Sequence, residues 1–569
     1  MTPNRSAIGS LHMWLWVLAA VSLAAGLGMR EPSPPDEPRF VLAAKHMVDS
    51  GEWLIPHRGR EIYAEKPPTF MWMQALAYQI VGNWDFAFLL PSLFAGLATL
   101  WLTWDLARRL WGRRAALHAA AALWVCLQFG LMAKRGQIDM VLVFLTTLAL
   151  WGLLRHLMRG PAWAAAWLGA FAAGLGTVTK GVGFLPLLVL LPWLIARHRI
   201  APAQRASAGD AWRWVALSGA FVAGTMVWLA PLFFALATRD DPALAAYARE
   251  LLFRQTGERY LNTWHHIQPF WYYAQVIATL WLPGALLLPW LLPAWWRRLR
   301  RRDPRQILLL GWCLIVLVFF SISPGKREVY VFPMLPALCI AAAPILPGLL
   351  RRRAVRSTLA LYLAVFAGTA AVLSLAALSG ASSWAQRLAT QRTISEADLG
   401  VFLWSLLALG LAGLIALAWA RLRRIATALV VFSGALWAAY GVGLAPALDA
   451  TSSAHQLMQD AGSRIGPSAQ LGLVAWREQN LLQADREVTE FGFRRAWHEQ
   501  WQEASEWVRA DPDQRWLLVL HEALSACVDA RAVESVGLAN RRHWLLVPGT
   551  ALVRDCVTPP FAPNAPAPE

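Results

Sequence analysis

Charged residues are scarce in this sequence, because Asp, Glu, Lys and Arg together account for only 15% of its 569 residues. Hydrophobic residues account for 57%, and the mean hydropathy is +0.41. This balance excludes a soluble globular protein, and the apolar runs repeatedly reach the ~20 residues needed to cross a bilayer. The composition therefore predicts a polytopic membrane protein.

Cysteine and the common catalytic motifs are also rare. Cys126, Cys313 and Cys339 lie in apolar segments and are expected to be small core residues. Cys527 and Cys556 lie near the C-terminus and can pair if that part is in an oxidising compartment. The C-terminal part contains no Gly-rich phosphate loop, nucleophile elbow or CxxC motif, so we assign no chemistry to it.

Thirteen apolar segments are predicted to span the membrane, and the first, 11–29, has no signal-peptide cleavage motif. The connections rich in Arg alternate with the others, which predicts a cytoplasmic N-terminus and a periplasmic C-terminal part in a bacterial inner membrane. The remaining predicted spans are 86–105, 115–133, 138–155, 161–178, 182–196, 214–236, 273–294, 306–322, 331–350, 357–378, 401–420 and 425–446.

The composition changes after the last span. Residues 1–446 form the predicted membrane domain, with long outer loops at 30–85 and 237–272. Residues 447–560 are more acidic and contain LGLVAW, RWLLVLH and RHWLLVP, which are typical of short buried strands in a small α/β domain. Residues 561–569 are rich in Pro and Ala and predict a disordered tail.

Lysine is the scarcest basic residue, at five of 52, although the net charge is +17. The basic residues form short clusters between apolar spans, which argues for cytoplasmic loops and against nucleic-acid binding. Compact cations on the outer side suit a phosphate ligand, although Lys side chains also reach lipid headgroups. All five fall on that predicted side: Lys45, Lys66, Lys134, Lys180 and Lys326.

The first long polar segment, from Arg30 to Phe70, holds charges on stiff backbone. Asp36 and Glu37 precede Pro38, so two adjacent carboxylates lie at a turn or helix start close to the membrane surface. Further on, an acid and a base precede a double proline in the sequence YAEKPP. These features predict a site built on the first outer loop.

The motifs DEPRF, SGEWLIPH and YAEKPP, in that order, resemble the first extracytoplasmic loop of a family of bacterial membrane glycosyltransferases. That family contains the lipid A aminoarabinose transferase, is related to protein O-mannosyltransferases and has the GT-C fold. The resemblance covers most of residues 11–446. It implies an α-helical polytopic enzyme that transfers a sugar from a polyprenyl phosphate carrier with inversion.

Two short outer connections supply further candidates. Lys134, Arg135 and Asp139 lie in KRGQIDMVLVFL, where an acid entering a helix is costly unless it has a partner or a function. A capping Asp beside Arg135 is the simpler interpretation, and the resemblance implies that Asp139 helps to form the active-site cavity. Lys180 matches a basic position of the family, although it also marks a helix end.

The turn SISPGKREVY is the most specific match after EKPP. Lys326 and Arg327 are placed to reach a phosphate, and Tyr330 begins the next helix. The family has a short basic turn before Tyr and two prolines at the corresponding place. An ordinary turn with cations facing lipid headgroups is the alternative.

The second outer loop adds Arg259 in ERYL, followed by His265 and His266. Family members can bind a metal between the glutamate of EKPP and a histidine of this loop, which here implies Glu65 with His265 or His266. Two such candidates are fewer ligands than a structural zinc site requires. We therefore expect that no cofactor is required, with a structural zinc as the alternative.

Together these residues permit sugar transfer from a lipid phosphate. Asp36, with Glu37 beside it and Asp139 nearby, can deprotonate a hydroxyl acceptor or orient it. The acceptor implied by the resemblance is an envelope glycolipid such as lipid A, or a protein. A lipid-linked sugar transporter is the rival, but it usually shows midplane polar residues in repeated halves. The predicted phosphate-binding groups are Glu65, Lys66, Lys134, Arg135, Lys180, Arg259, Lys326, Arg327 and Tyr330.

Overall fold

A computed structural model describes residues 5–200, 211–252, 267–554 and 556–561, with side chains described from residue 13 onward. Apolar helices dominate the first 250 residues. They are α1 (Arg5–Ala24), α2 (Glu37–Ser50), α3 (Thr69–Val81), α4 (Trp84–Ala87), α5 (Leu90–Trp111), α6 (Arg113–Trp124), α7 (Leu127–Ala133), α8 (Ile138–Arg159), α9 (Trp163–Lys180), α10 (Leu190–Ala196), α11 (Ala211–Thr238) and α12 (Pro242–Arg249).

The described helices continue after residue 267, and the last four belong to the C-terminal part. They are α13 (Tyr272–Leu280), α14 (Leu288–Arg300), α15 (Pro304–Ile322), α16 (Met334–Ala342), α17 (Leu346–Leu349), α18 (Arg353–Leu378), α19 (Trp384–Arg392), α20 (Glu396–Ala420), α21 (Ile425–Ala439), α22 (Asp449–Ser452), α23 (His455–Ile465), α24 (Glu478–Leu482) and α25 (Trp497–Arg509).

Seven helices in the described part of the chain are long and apolar enough to cross a membrane, and two bent pairs bring the number to nine. The bent pairs are Arg113–Trp124 with Leu127–Ala133, at 70°, and Tyr272–Leu280 with Gly284–Arg300, at 104°. The predicted spans 182–196 and 331–350 are instead interrupted, since a 3-10 segment precedes α10 and a break separates α16 from α17. Pro186 lies in the 3-10 segment and Pro344 lies in the break, and each removes a backbone donor there. The multi-pass helical fold is therefore confirmed, whereas the predicted number of thirteen spans is not.

The breaks of the two bent pairs contact each other inside the bundle. The backbone N–H of Leu127 donates to the carbonyl of Leu282 at 3.1 Å. The indole N–H of Trp281 donates to Oε1 of Gln128 at 2.6 Å, and Nε2 of Gln128 donates to the carbonyl of Glu328 at 3.0 Å. Freed backbone groups at membrane depth are thus satisfied within the protein, and the same bonds fix the turn before Tyr330.

Small residues allow α8 and α9 to pack closely. A Cβ added to Gly152 stands 2.1 Å from the carbonyl oxygen of Ala165 and 3.0 Å from Cα of Gly169. This close approach is typical of helix pairs in membranes.

We expect Gly152→Ala to force α8 and α9 apart and to lower the free energy of unfolding by about 1–3 kcal/mol. Gly219 in α11 is the matched control, because nothing lies within 4 Å of an added Cβ there. Gly219→Ala is expected to be neutral or slightly stabilising, because alanine favours a helix. Thermal unfolding in detergent measures both, and equal melting temperatures contradict the packing argument.

The C-terminal part contains a five-stranded mixed sheet in the order β4-β3-β5-β7-β6. The strands β3 and β5 are parallel neighbours, whereas β7 is antiparallel to both β5 and β6. A disulfide joins Cys527 to Cys556 beside this sheet. The strands are β3 (Gln470–Val474), β4 (Val488–Glu490), β5 (Arg515–Leu520), β6 (Glu534–Ala539) and β7 (Arg542–Pro548).

The first loop is folded against this C-terminal part. Its helix α2 is followed by a hairpin of β1 (His57–Arg58) and β2 (Glu61–Ile62). The carboxylate of Glu490 accepts the backbone N–H of Arg60 at 2.7 Å. The carboxylate of Glu61 accepts the backbone N–H of Arg494 at 3.1 Å. These contacts fix the hairpin, and with it the EKPP segment that follows.

Candidate functional site

A cavity of about 290 Å³ lies between the EKPP segment, the end of α9 and the turn before Tyr330. Its polar lining includes Glu65, Lys66, Lys180, Arg327 and Tyr330. The rest of the lining is mostly apolar and comes largely from the long helices. It includes Leu142, Val178, Trp228, Leu229, Leu251, Leu252 and Phe320. The cavity therefore suits a ligand with a charged end and a hydrocarbon chain.

Asp36 contacts the cavity lining through Arg327. Nη2 of Arg327 donates to Oδ2 of Asp36 at 3.1 Å, and Nε2 of Gln137 approaches the same oxygen at 3.4 Å. Asp36 is the residue immediately before α2, where Pro38 sets the helix start. Its side chain is only 13% exposed, so the ion pair is largely shielded from water.

Asp139 pairs with Lys180, which lines the cavity, but Asp139 is not itself a lining residue. The carboxylate lies in the first turn of α8, and the ammonium of Lys180 at the end of α9 donates to it. The same ammonium lies 5.5 Å from the ring centroid of Tyr330, within the range of a cation–π contact. The partner that a buried acid at this depth requires is thus a cavity lysine.

Glu65 lies among three guanidinium groups. Its carboxylate is 3.7 Å from Arg39, 3.7 Å from Arg58 and 3.4 Å from Arg494 of the C-terminal part. Arg39 also lies 3.9 Å from Asp36, so a single network of charges connects the two acids. The charged residues that line the cavity are Lys66, Lys180 and Arg327 against Glu65 alone, so the lining carries a net positive charge.

The neighbouring cations change how these acids titrate. Burial alone tends to raise the pKa of Asp36, but the charge and hydrogen bond of Arg327, with Arg39, outweigh it and hold that pKa below its usual value. Burial likewise opposes the effect of Arg39, Arg58 and the other nearby cations on Glu65, whose pKa is also lowered. Both carboxylates are therefore ionised at neutral pH.

Several predicted site residues lie elsewhere. Glu37 is buried, where it forms a two-point ion pair with Arg30 at 2.6 and 2.7 Å and accepts the backbone N–H of Gly136 at 2.8 Å. Both oxygens of its carboxylate accept hydrogen bonds from these groups. Glu37 therefore holds the loop in place beside Asp36 and is not part of the network of charges that connects Asp36 and Glu65. Arg135 is half-buried and is not among the residues that line the cavity.

Two predicted phosphate-binding lysines donate hydrogen bonds to backbone carbonyls. Nζ of Lys134 donates to the carbonyls of Leu23 and Ala25 at 3.0 and 2.6 Å, at the end of α1. Nζ of Lys326 donates to the carbonyl of Gln268 at 3.0 Å. Buried ammonium groups need acceptors, and helix ends and turns supply unsatisfied carbonyls. Neither Lys134 nor Lys326 lines the cavity, whereas Arg327, in the same turn as Lys326, does.

Arg259, His265 and His266 lie outside the described residues. Among the residues that the structure does describe, no group of three His, Cys, Asp or Glu side chains is arranged to hold a metal ion. Glu65, the described member of the predicted metal pair, is surrounded by arginines, which compete with a cation for its oxygens.

Five residues of the network were not predicted as site residues: Arg39, Arg58, Gln137, Glu478 and Arg494. Arg39 lies one turn after Asp36 in DEPRF, so the i, i+3 spacing was a usable signal. Glu478 lies more than 400 residues away in sequence from its partners, and no local pattern marks it.

Comparisons with known proteins fit this geometry. A family profile described as dolichyl-phosphate-mannose-protein mannosyltransferase matches residues 65–229. Undecaprenyl phosphate-alpha-4-amino-4-deoxy-L-arabinose arabinosyl transferases are similar: one from Enterobacter sp. (strain 638) is 31% identical over 54% of each chain. Another, from Sodalis glossinidius, is 29% identical over 58% of each chain. The chain thus spans about half the length of the curated relatives it matches.

The crystal structure of ArnT from Cupriavidus metallidurans bound to undecaprenyl phosphate superimposes with a TM-score of 0.72. The sequence identity is 20%, and the match covers 95% of this chain and 98% of that one. This chain has the ArnT fold. The resemblance to that transferase family, first seen in the loop motifs, is thereby confirmed.

The fold brings together site residues that lie inside and outside the segment matched by the family profile. The matched segment 65–229 contains Glu65, Lys66 and Lys180, whereas Asp36 and Arg327 lie before and after it. The bond between Asp36 and Arg327 joins the loop motif DEPRF to the turn SISPGKREVY. Geometry therefore assembles one site from three distant parts of the chain.

Proposed function

We propose that this protein transfers a sugar from undecaprenyl phosphate, or a similar polyprenyl phosphate, to an envelope glycolipid such as lipid A. The observation that carries this proposal is a cavity lined both by Lys66, Lys180, Arg327 and Tyr330 and by a set of apolar side chains. A lipid phosphate has the same two-part chemistry. The names of the relatives suggest 4-amino-4-deoxy-L-arabinose as the first sugar to test.

In this proposal the cations of the cavity bind the phosphate group of the donor. Lys66, Lys180 and Arg327 compensate the charge that develops on the phosphate as the bond to the sugar breaks, which is the main requirement of this reaction. The isoprenoid chain lies along the apolar wall formed by α8, α11 and α15. No covalent intermediate is needed, so the transfer inverts the anomeric carbon in a single displacement.

Asp36 acts on the acceptor side. Arg327 donates a hydrogen bond to Asp36. A bound phosphate competes for the same guanidinium, so donor binding draws Arg327 away and raises the pKa of Asp36 toward its usual value. The carboxylate then orients an acceptor group or takes the proton of an acceptor hydroxyl.

The site faces the periplasm in this proposal. The Arg-rich connections between the spans favour the cytoplasmic side of the membrane, which puts the site on the other side. We propose an odd number of spans, thirteen in the sequence prediction, with the N-terminus in the cytoplasm and the C-terminal part in the periplasm. The disulfide between Cys527 and Cys556 supports this orientation, because disulfides persist in oxidising compartments.

Purified protein in detergent or vesicles, supplied with a radiolabelled undecaprenyl phosphate sugar and lipid A, tests the proposal. Label is expected to move to the lipid acceptor, with release of the unglycosylated carrier. Movement of the intact donor across vesicles without bond cleavage overturns the proposal in favour of a transporter. Label recovered on a protein acceptor instead identifies a protein O-glycosyltransferase, the activity in the name of the family profile.

We further propose that transfer requires no metal, because protein cations perform the charge compensation. Activity after treatment with EDTA and removal of the chelator is expected to equal that of untreated enzyme. A loss of activity restored by Zn²⁺ contradicts this expectation and supports the alternative, a zinc held by Glu65 with His265 or His266.

A further inference from the structure

Glu478 connects the C-terminal part of the chain, called the C-terminal domain from here on, to the charge network of the site. It is the first residue of α24, directly after the segment that follows β3, and its side chain is 5% exposed. Oε1 accepts the Nε–H of Arg39 at 2.8 Å and an Nη1–H of Arg58 at 3.2 Å. One carboxylate oxygen from the C-terminal domain therefore contacts two loop arginines.

Arg39 has three acids around it, at unequal distances. Its Nε is 2.8 Å from Glu478, whereas its Nη1 is 3.7 Å from Glu65 and 3.9 Å from Asp36. Only the contact with Glu478 has the length of a good hydrogen bond. Glu478 thus determines where the guanidinium group of Arg39 lies.

Arg58 is held in the same way, with a second support from the C-terminal domain. Its guanidinium carbon lies 3.8 Å from the ring centroid of Phe493, and its side chain is 3% exposed. The loop arginines are consequently fixed by groups of the C-terminal domain, while the acids that they could pair with, Asp36 and Glu65, belong to the loop itself.

We propose that Glu478 is a positioning residue that keeps Arg39 from pairing fully with Asp36. Without the carboxylate, Arg39 is buried next to two remaining acids and relaxes toward them, because an uncompensated buried cation is costly. Asp36 is then held by two guanidinium groups and is less available to the acceptor. The effect on catalysis rests on the proposed role of Asp36, whereas the effect on the ion pairs does not.

A double-mutant cycle in thermal stability tests the ion pairs without any activity measurement. The coupling between Arg39 and Asp36, from Arg39→Gln, Asp36→Asn and the double variant, is expected to be small in the native background. In the Glu478→Gln background it is expected to grow. Unchanged coupling overturns the proposal.

Kinetics in the same variants tests the consequence. Glu478→Gln is expected to lower kcat about tenfold with KM for the lipid donor unchanged, since misplacement of a catalytic group lowers the rate steeply. Adding Arg39→Gln is expected to cause no further loss. Glu503→Gln is the control, because Glu503 forms a salt bridge to Arg60 across the same interface at 3.1 Å, away from Asp36.

The outcomes separate the two proposals. Equal losses in Glu478→Gln and Glu503→Gln indicate that domain docking alone matters, and overturn the positioning role. A larger coupling in the Glu478→Gln background, in a protein that moves no sugar from any lipid phosphate, supports the positioning of Arg39 and overturns the proposed function.

Discussion

Asp36→Asn is expected to lower the rate of sugar transfer by a factor of about 10²–10⁴, the contribution of a positioned acid or base. The substitution preserves the shape of the side chain but removes the negative charge that pairs with Arg327 at 3.1 Å and that acts on the acceptor in the proposed reaction. Binding of undecaprenyl phosphate is expected to remain, because the cavity cations are retained. The measurements are kcat with a labelled donor and equilibrium binding of undecaprenyl phosphate.

Asp49→Asn is the matched control for this variant. Asp49 belongs to the same helix, α2, but is exposed. Its substitution is expected to leave the rate unchanged. A rate for Asp36→Asn within a factor of about three of the native rate is far below the effect of losing a catalytic acid or base, and sinks the assignment of Asp36.

The ionisation of Asp36 also makes the stability of the folded protein depend on pH. Its folded-state pKa is lowered, so the ionised group stabilises the protein above the unfolded pKa, and this contribution is lost as pH falls through the folded pKa. The melting temperature is therefore expected to fall on acidification below about pH 4. The fall is expected to be smaller in Asp36→Asn than in the native protein.

Arg327→Gln is the second substitution with a large expected effect. Arg327 lines the cavity and pairs with Asp36, so its loss removes a phosphate cation and leaves a buried acid without its main partner. We expect kcat/KM to fall by about 10²–10³, as for the removal of one transition-state donor, with KM for the lipid donor raised. Steady-state kinetics with varied donor concentration separates the change in kcat from the change in KM.

A pH profile gives Arg327→Gln a second, independent signature. Arg327 is the strongest of the groups that lower the pKa of Asp36, so its removal is expected to shift the acidic limb of the kcat/KM profile to higher pH. Arg239→Gln is the control, because Arg239 forms an exposed pair with Glu52. An unshifted limb in Arg327→Gln contradicts the coupling between Arg327 and Asp36.

The sequence was most informative where charges lie on stiff backbone next to apolar spans. Lys66 before its double proline, Lys180 at a helix end, and Arg327 with Tyr330 after a turn were all predicted as candidates, and all line one cavity. Each needed only a local pattern, since a charge at the end of a span is confined to the membrane surface.

The sequence was least informative about partners. Lys134 and Lys326 have the charge and location expected of phosphate ligands, yet backbone carbonyls occupy their ammonium groups. Glu37 and Asp36 are adjacent in sequence, but the start of a helix directs one carboxylate to Arg30 and the other to Arg327. Such choices depend on which chain segments meet in the fold, as the contact between Arg39 and Glu478 also illustrates.

The net positive charge of the cavity lining affects the release of product at the end of a catalytic cycle. In the proposed reaction the donor is a phosphodiester with one negative charge, whereas the spent carrier is a phosphomonoester with a charge of about −1.5 to −2 at neutral pH. On this proposal Lys66, Lys180 and Arg327 attract the spent carrier more strongly than the donor. Carrier that accumulates in the membrane is then expected to act as a competitive inhibitor of the donor.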